Sequence, residues 1–184
     1  MVRLSLYLYL LTPLVTQSIA LNPRTSPPAG CISVAKSGQK FTTIQSAVDS
    51  LSTTSTSAQC IFIYPGTYQE QVYVAPRSAK LTIYGSTSDP SGYASNSVTI
   101  TQGRSQDDSQ SNDLTGTLRA WAVGLTVYNV NIVNTRGQGS QAIALSAQAD
   151  QQGYYGVKLV GYQDTLLANS GNQVYAKSYI DGAT

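Results

Sequence analysis

The sequence contains no histidine. This absence excludes a Ser-His-Asp hydrolase, a Cys-His protease and any imidazole-ligated metal site within these 184 residues. Acidic residues are also scarce: of the nine, one is Glu (Glu70) and eight are Asp. Any acid–base chemistry would therefore depend on carboxylates, amides, hydroxyls and a few Lys or Arg side chains.

Charge of either sign is low. Only 11% of the residues are charged, against about 25% in an average soluble domain. The net charge is +2, and the Lys and Arg residues are scattered from Arg3 to Lys177 without a basic run. We therefore expect no nucleic-acid partner, because such binding needs clustered positive charge. Ser, Thr, Gln and Asn supply the polar surface instead, which is typical of a secreted protein with many stacked polar turns.

The N-terminus has the features of a secretory signal. Arg3 precedes an apolar run over residues 4–15 that is too short to span a bilayer, and Ser18 and Ala20 fit the small-residue cleavage pattern. We predict a signal peptide over 1–20, a Pro-rich linker over 21–29 and one domain over 30–184. The alternative is a buried N-terminal helix. The protein is then expected to be extracellular, without a membrane partner after cleavage.

Two cysteines, Cys31 and Cys60, remain. In an oxidising compartment they are a plausible disulfide pair, which would stabilise the fold by roughly 3 kcal/mol in the chain-entropy model. The alternative is two separate buried thiols, and spacing alone does not decide between them.

One segment has helical periodicity. Ile44, Ala47, Val48 and Leu51 recur at helical spacing and predict a short helix over 43–51. Elsewhere the chain consists of short apolar runs broken by turn residues, and residues 117–135 form a longer β-branched, alternating run. The stretch SQDDSQSND (105–113) is predicted to be a solvated acidic loop.

Similar short segments recur along the chain. Residues 132–134, 159–161 and 180–182 have similar shapes at spacings of 27 and 21 residues. Repeats of this size without intervening helices favour an all-β solenoid of stacked coils, in which the helix would cover the open first coil. An antiparallel sandwich is the alternative.

Asp164 lies in GYQDTLL, and an Asp beside glycine commonly does no more than stabilise a turn. Gln163 by itself would be a surface amide. Gln141, at the head of the strand face shared with Ile143 and Leu145, would mark the strand end. A copy of the Asp164 unit 21 residues later, beginning at Gly182, would place the counterpart of Asp164 directly after Thr184.

Five segments in order, FTTIQSAVDSL, YPGTYQEQVYV, QAIAL, GYQDTL and YIDGAT, together resemble the fungal type of secreted pectin methylesterase (pectinesterase). The resemblance covers residues 30–184. It implies a right-handed parallel β-helix that removes methyl esters from the galacturonate units of pectin. It also implies that the C-terminal coils of the family are not part of this sequence.

The resemblance assigns roles to three residues. Gln141 and Gln163 correspond to oxyanion-stabilising amides, and Asp164 corresponds to the general acid/base. The family's nucleophilic Asp opens a DFIFG-type motif directly after the segment that resembles YIDGAT, and an Arg that holds it lies further on. Neither motif occurs in these 184 residues.

These roles make chemical sense without a cofactor, and none is expected. A carboxylate can attack an ester carbonyl, amide N–H groups can stabilise the oxyanion, and a second carboxyl group can protonate the leaving methoxide. Equivalent positions on stacked coils lie about 4.8 Å apart, which would bring two carboxylates together.

Several expectations concern the substrate. Tyr154, Tyr155 and Tyr162 flank the motifs and could stack on sugar faces, or pack locally instead. A calcium-dependent β-helix lyase would need clustered acidic ligands for Ca²⁺. It is disfavoured, because the one acidic cluster, Asp107, Asp108 and Asp113, is predicted to be a solvated loop. We expect a monomer acting on methyl-esterified pectin. The alternative is a truncated β-helix without turnover that at most binds pectin.

Overall fold

The computed structural model describes residues 21–183, so the predicted signal peptide lies outside the described part of the chain. Within that part, short strands form three parallel sheets. Sheet I contains β1 (Ile32–Val34), β2 (Gln59–Ile63), β5 (Leu81–Gly85), β8 (Thr126–Tyr128), β11 (Gln152–Tyr155) and β14 (Gln173–Ala176). Sheet II contains β3 (Gly66–Gln69), β6 (Val98–Gln102), β9 (Asn131–Asn134), β12 (Lys158–Val160) and β15 (Tyr179–Asp181). Sheet III contains β4 (Val72–Val74), β7 (Leu118–Ala120), β10 (Leu145–Ala147) and β13 (Leu166–Ala168).

The chain visits sheets I, II and III in turn and then begins the next coil. Every pairing between these strands is parallel, which excludes the antiparallel sandwich. In the last turn the register shifts by the same 21 positions in each sheet, as in the pairs 152 with 173, 158 with 179 and 145 with 166. The 21-residue repeat in the sequence is therefore one coil of a parallel β-helix.

Apolar residues on successive coils stack to form the core. Ile61, Ile83, Val127 and Tyr154 occupy matching positions in sheet I, and all four side chains are buried. The alternating run over 117–135 supplies three strands rather than one, β7, β8 and β9. The chain turns between them at Gly124 and Asn129, whose φ angles are +70° and +54°. Positive φ ends an extended strand, so the run bends at the corners of the coil.

Helix α1 (Ile44–Ser50) covers the first coil, close to the predicted 43–51. Thr43 caps its N-terminus, and both Glu70 carboxylate oxygens accept hydrogen bonds at 2.8 Å from the backbone N–H groups of Ile44 and Gln45. The Gln45 side chain accepts from the Tyr73 N–H (2.7 Å) and donates to its carbonyl (3.2 Å). Strand β4 is the edge of sheet III, so this amide occupies backbone groups that a neighbouring strand would otherwise use.

The N-terminal segment is also attached to the solenoid. A disulfide joins Cys31 to Cys60, with 4.6 Å between their Cα atoms. Residues 21–29 do not stand apart from the domain as a free linker. Arg24 forms a backbone bridge with Thr87, and its guanidinium lies 4.8 Å from the centre of the Tyr84 ring. No helix within residues 21–183 is long and apolar enough to cross a bilayer.

The cap on helix α1 leads to a stability prediction. Glu70→Gln removes the negative charge and one of the two oxygen acceptors at the helix N-terminus, so we expect a loss of about 1 kcal/mol in the free energy of unfolding. Urea unfolding followed by circular dichroism measures it. Asp49→Asn, on the exposed face of the same helix, is the charge-matched control and should cost much less. Equal losses in the two variants would contradict the capping role.

Candidate active site

The predicted site residues lie at one corner of the β-helix. The loops that lead from sheet II to sheet III stack on one another along the solenoid, because each connects the same two sheets on successive coils. Gln141 lies on the third of these loops, and Gln163 and Asp164 lie on the fourth. The four corner loops, in coil order, are residues 70–71, 103–117, 135–144 and 161–165.

The loops that carry Gln141 and Gln163 touch directly. The backbone N–H of Ala142 donates to the carbonyl of Gln163 at 3.1 Å. Both glutamine side chains are half-buried. Neither side-chain amide hydrogen-bonds to another residue within 21–183, so both N–H₂ groups remain able to donate to a ligand.

Asp164 occupies an unusual backbone conformation. Its φ is +60°, in the left-handed region that Asp tolerates better than most residues. Its half-buried carboxylate accepts a hydrogen bond of 3.5 Å at Oδ2 from the Asn112 side-chain amide. The following Thr165 hydroxyl donates to the Asp181 carbonyl on the next coil at 3.0 Å. The turn therefore directs the Asp164 carboxylate toward Asn112, and the hydrogen bond of Thr165 attaches the turn to the adjacent coil.

The two glycines of the repeated unit make room for that attachment. A Cβ on Gly161 would lie 2.7 Å from the Thr165 hydroxyl oxygen, and one on Gly182 would lie 2.5 Å from it. Any side chain at these positions would displace Thr165. Glycine therefore recurs at positions 161 and 182 because the backbones of two successive coils both approach the Thr165 side chain there.

The register also defines what stacks on Asp164. The N–H of Ala183 donates to the carbonyl of Tyr162 at 2.8 Å, which continues the 21-residue offset from β12 and β15. The same offset takes Asp164 to position 185, which lies beyond the described residues.

The three tyrosines have different surroundings. Tyr162 lies on the corner loop itself, next to Gln163 and half-buried. Tyr154 does not fit a substrate-binding role and corrects the sequence prediction. It is fully buried inside the coil, stacks on Tyr175 at 5.1 Å and donates to the Gln152 side chain at 2.9 Å. Strand alternation points it inward, whereas the neighbouring Tyr155 points outward.

Tyr155 is not brought to Asp164 either. It lies in sheet I, where its ring stacks 5.0 Å from Tyr128, which in turn stacks 5.3 Å from Tyr84. This outer ladder of rings is separated from the corner loop by β12. The structure therefore groups Tyr155 with other tyrosines, not with the predicted chemistry.

The acidic stretch 105–113 is more ordered than the sequence predicts. Residues Asn112–Thr115 form a short helix, α2, and Asp113 is largely buried rather than solvated. Its carboxylate pairs with Arg119 at 2.6 Å and accepts from the Ser146 hydroxyl at 2.7 Å. The sequence prediction missed these partners, which come from β7 and β10.

A comparison with known proteins identifies the family. A family model described as Pectinesterase matches residues 31–184. The chain belongs to the pectinesterase family. It is 57% identical over 162 residues to a pectinesterase of Aspergillus aculeatus, covering 87% of this chain and 49% of that protein. A pectinesterase of Aspergillus niger is 53% identical over 161 residues, covering 87% of this chain and 49% of that protein.

A solved pectinesterase structure supports the fold. The deglycosylated pectin methylesterase of Aspergillus niger superposes with a TM-score of 0.84 at 43% identity, over 88% of this chain and 53% of that one. The prediction of a right-handed parallel β-helix is confirmed. This chain spans about half the length of the curated pectinesterases it matches.

The loop carrying Asp107 leads to a pH prediction. Arg136 lies 2.5 Å from the Asp107 carboxylate. The hydrogen bond from Arg136 is the largest cause that lowers the pKa of Asp107, and a hydrogen bond from Ser140 is the second. A lowered folded-state pKa means that this contact stabilises the fold above the ordinary Asp pKa of about 3.9 and is lost as pH falls through the folded pKa. In Arg136→Ala we expect the pKa of Asp107 to rise, so that its carboxyl protonates at higher pH.

Carbon-13 NMR titration of the Asp107 carboxyl group measures this shift. Arg104→Ala is the control, because Arg104 is exposed and reaches Gln71 rather than Asp107. An Asp107 titration that is the same in Arg136→Ala and in the unmodified protein would contradict the prediction.

Proposed function

We propose that this chain supplies the general acid/base and the oxyanion-stabilising amides of a pectin methylesterase, which hydrolyses the methyl esters of galacturonate units in pectin. The observation that carries the proposal is the corner itself. Gln141, Gln163 and Asp164, the three residues that match the family's motifs, lie on two adjoining corner loops joined by a backbone hydrogen bond.

The chemistry begins with a carboxylate nucleophile. On the 21-residue register, position 185 is the position that stacks on Asp164, and the resemblance places the family's nucleophilic Asp there. One of its oxygens bonds to the ester carbonyl carbon, and the carbonyl electrons move to the oxygen. The side-chain N–H groups of Gln141 and Gln163 donate to that oxyanion.

Asp164 then serves both halves of the reaction. As the tetrahedral intermediate collapses, the C–O bond to the methoxy group breaks, and the Asp164 carboxyl group gives its proton to the departing oxygen to form methanol. The remaining acyl group is an anhydride. The Asp164 carboxylate next takes a proton from water, whose oxygen attacks the acyl carbon and releases the galacturonate acid and the nucleophile.

The surroundings agree with this assignment. Tyr162 adjoins Gln163 and is half-buried, and in this proposal its ring stacks on a sugar face beside the reacting ester. The disulfide between Cys31 and Cys60 suits an oxidising compartment. We include in the proposal that the protein is secreted and acts as a monomer on pectin, independently of membranes and nucleic acids.

The role of Asp164 is testable in a chimera that joins residues 21–184 to the C-terminal half of the Aspergillus aculeatus pectinesterase. Asp164→Asn should lower kcat/KM for methanol release from methyl-esterified pectin by about 10²–10⁴-fold, because the amide cannot transfer the proton. Asp49→Asn, on helix α1, is the matched control and should leave the rate unchanged. An Asp164→Asn chimera as active as its parent would refute the proposed role.

The polypeptide of 184 residues by itself provides a second test. We expect methanol release at the background rate, because its residues 21–183 provide no group at the position that stacks on Asp164. Binding to pectin, measured by co-sedimentation with insoluble pectin, would show that the solenoid alone retains substrate affinity. Methanol release that Asp164→Asn abolishes would overturn the expectation and place the nucleophile within these residues.

A further inference from the structure

The segment 105–113, on the second corner loop, lies against the loops that carry the proposed catalytic groups, although the proposed chemistry does not use it. Its residues contact three different places: the loop of Gln141, the outer face of sheet III and the carboxylate of Asp164. We call this stretch the acidic segment.

The first contact attaches the acidic segment to the loop of Gln141. The backbone N–H of Gln106 donates to the carbonyl of Gln141 at 3.0 Å. One residue later, Asp107 pairs with Arg136, with Nε at 3.1 Å and Nη2 at 2.5 Å from the same carboxylate oxygen. Since residues 136 and 141 belong to one corner loop, the two contacts hold that loop at its start and at a second point five residues later.

The second contact attaches the other end of the acidic segment to sheet III. Asp113 accepts at Oδ2 from Arg119 (2.6 and 3.0 Å) and at Oδ1 from Trp121 (3.1 Å) and Ser146 (2.7 Å). Arg119 belongs to β7 and Ser146 to β10, so one carboxylate bridges two coils. The Arg119 guanidinium also lies 4.7 Å from the centre of the Tyr73 ring, which gives it a second partner on β4.

The third contact reaches Asp164. Asn112 immediately precedes the anchored Asp113, and its Nδ2 donates to Oδ2 of Asp164 at 3.5 Å. An amide N–H₂ group can only donate, so it directs the protonation of Asp164 to the other oxygen, Oδ1. That preference matters in the proposed reaction, because the acid has to present its proton in one direction.

We propose that the acidic segment positions the site, with Asp107 and Asp113 as its two anchors and Asn112 as the residue that orients the Asp164 carboxyl group. This inference rests on the proposed function for its catalytic meaning. These three are positioning residues: they act through Gln141 and Asp164 and have no assigned contact with the substrate.

An NMR experiment tests the geometry without using activity. In the full 184-residue chain, Asp164→Asn should shift the side-chain amide signals of Asn112. In chains that also carry Asp107→Asn or Asp113→Asn, the same change should shift those signals less, because Asn112 is no longer held against position 164. Backbone N–H exchange at Gln106 should be faster in Asp107→Asn.

Asp108→Asn is the matched control, since it removes the same charge from the same loop while its Oδ1 can still accept from the Ser105 N–H, a contact of 3.1 Å in the parent chain. Unchanged exchange at Gln106 together with an undiminished Asn112 response in both anchor variants would overturn the proposal. If Asp113→Asn does not fold, Asp107→Asn decides the test, because its side chain is 56% exposed and its loss disturbs no buried contact.

Kinetics in the chimera then tests the catalytic meaning. Asn112→Ala should lower kcat by roughly 10- to 100-fold with little change in KM, as expected when a reacting group is misplaced. Asn112→Gln should recover part of the loss. A kcat equal to that of the parent would overturn the orienting role. An inactive parent chimera would count against the proposed function alone, because the NMR result stands independently.

Discussion

In-register hydrogen bonding between successive coils is the interaction on which this protein depends. All the named strands pair in parallel, and the last turn keeps one offset of 21 residues in all three sheets. Equivalent residues are thereby stacked about 4.8 Å apart. This spacing lets Gly161 and Gly182 close on Thr165, and it sets Asp164 beside the equivalent position of the next coil. The chemistry proposed for the corner depends on this stacking.

The low charge of the chain is compatible with the same stacking. Coils turn sharply, and neutral side-chain amides donate to carbonyl groups at the turns, two of which, Ala120 and Ala147, also accept a backbone N–H. The buried Gln152 donates to the carbonyls of Ala120 and Ala122, both at 3.0 Å, and Gln173 repeats the arrangement one coil later by donating to Ala147 at 3.2 Å. Unpaired charges in such places would carry a large desolvation cost.

Much of the fold was predictable because its signals are local or periodic. The spacing of Ile44, Ala47 and Val48 indicated helix α1, and the offset from Gly161 to Gly182 indicated one coil. The position of Tyr154 and the contacts of Asp113 were not predictable. Whether a residue in a short strand points inward depends on where the corners fall, and the partners of Asp113 come from two other coils.

The four corner loops differ widely in length although the strands on either side stay in register. They span residues 70–71, 103–117, 135–144 and 161–165, from a bare connection to a segment with its own helix. Insertions and deletions at this corner therefore leave the scaffold unchanged. Related proteins can therefore vary depth, charge and crowding around the proposed reacting groups one loop at a time, without a change of fold.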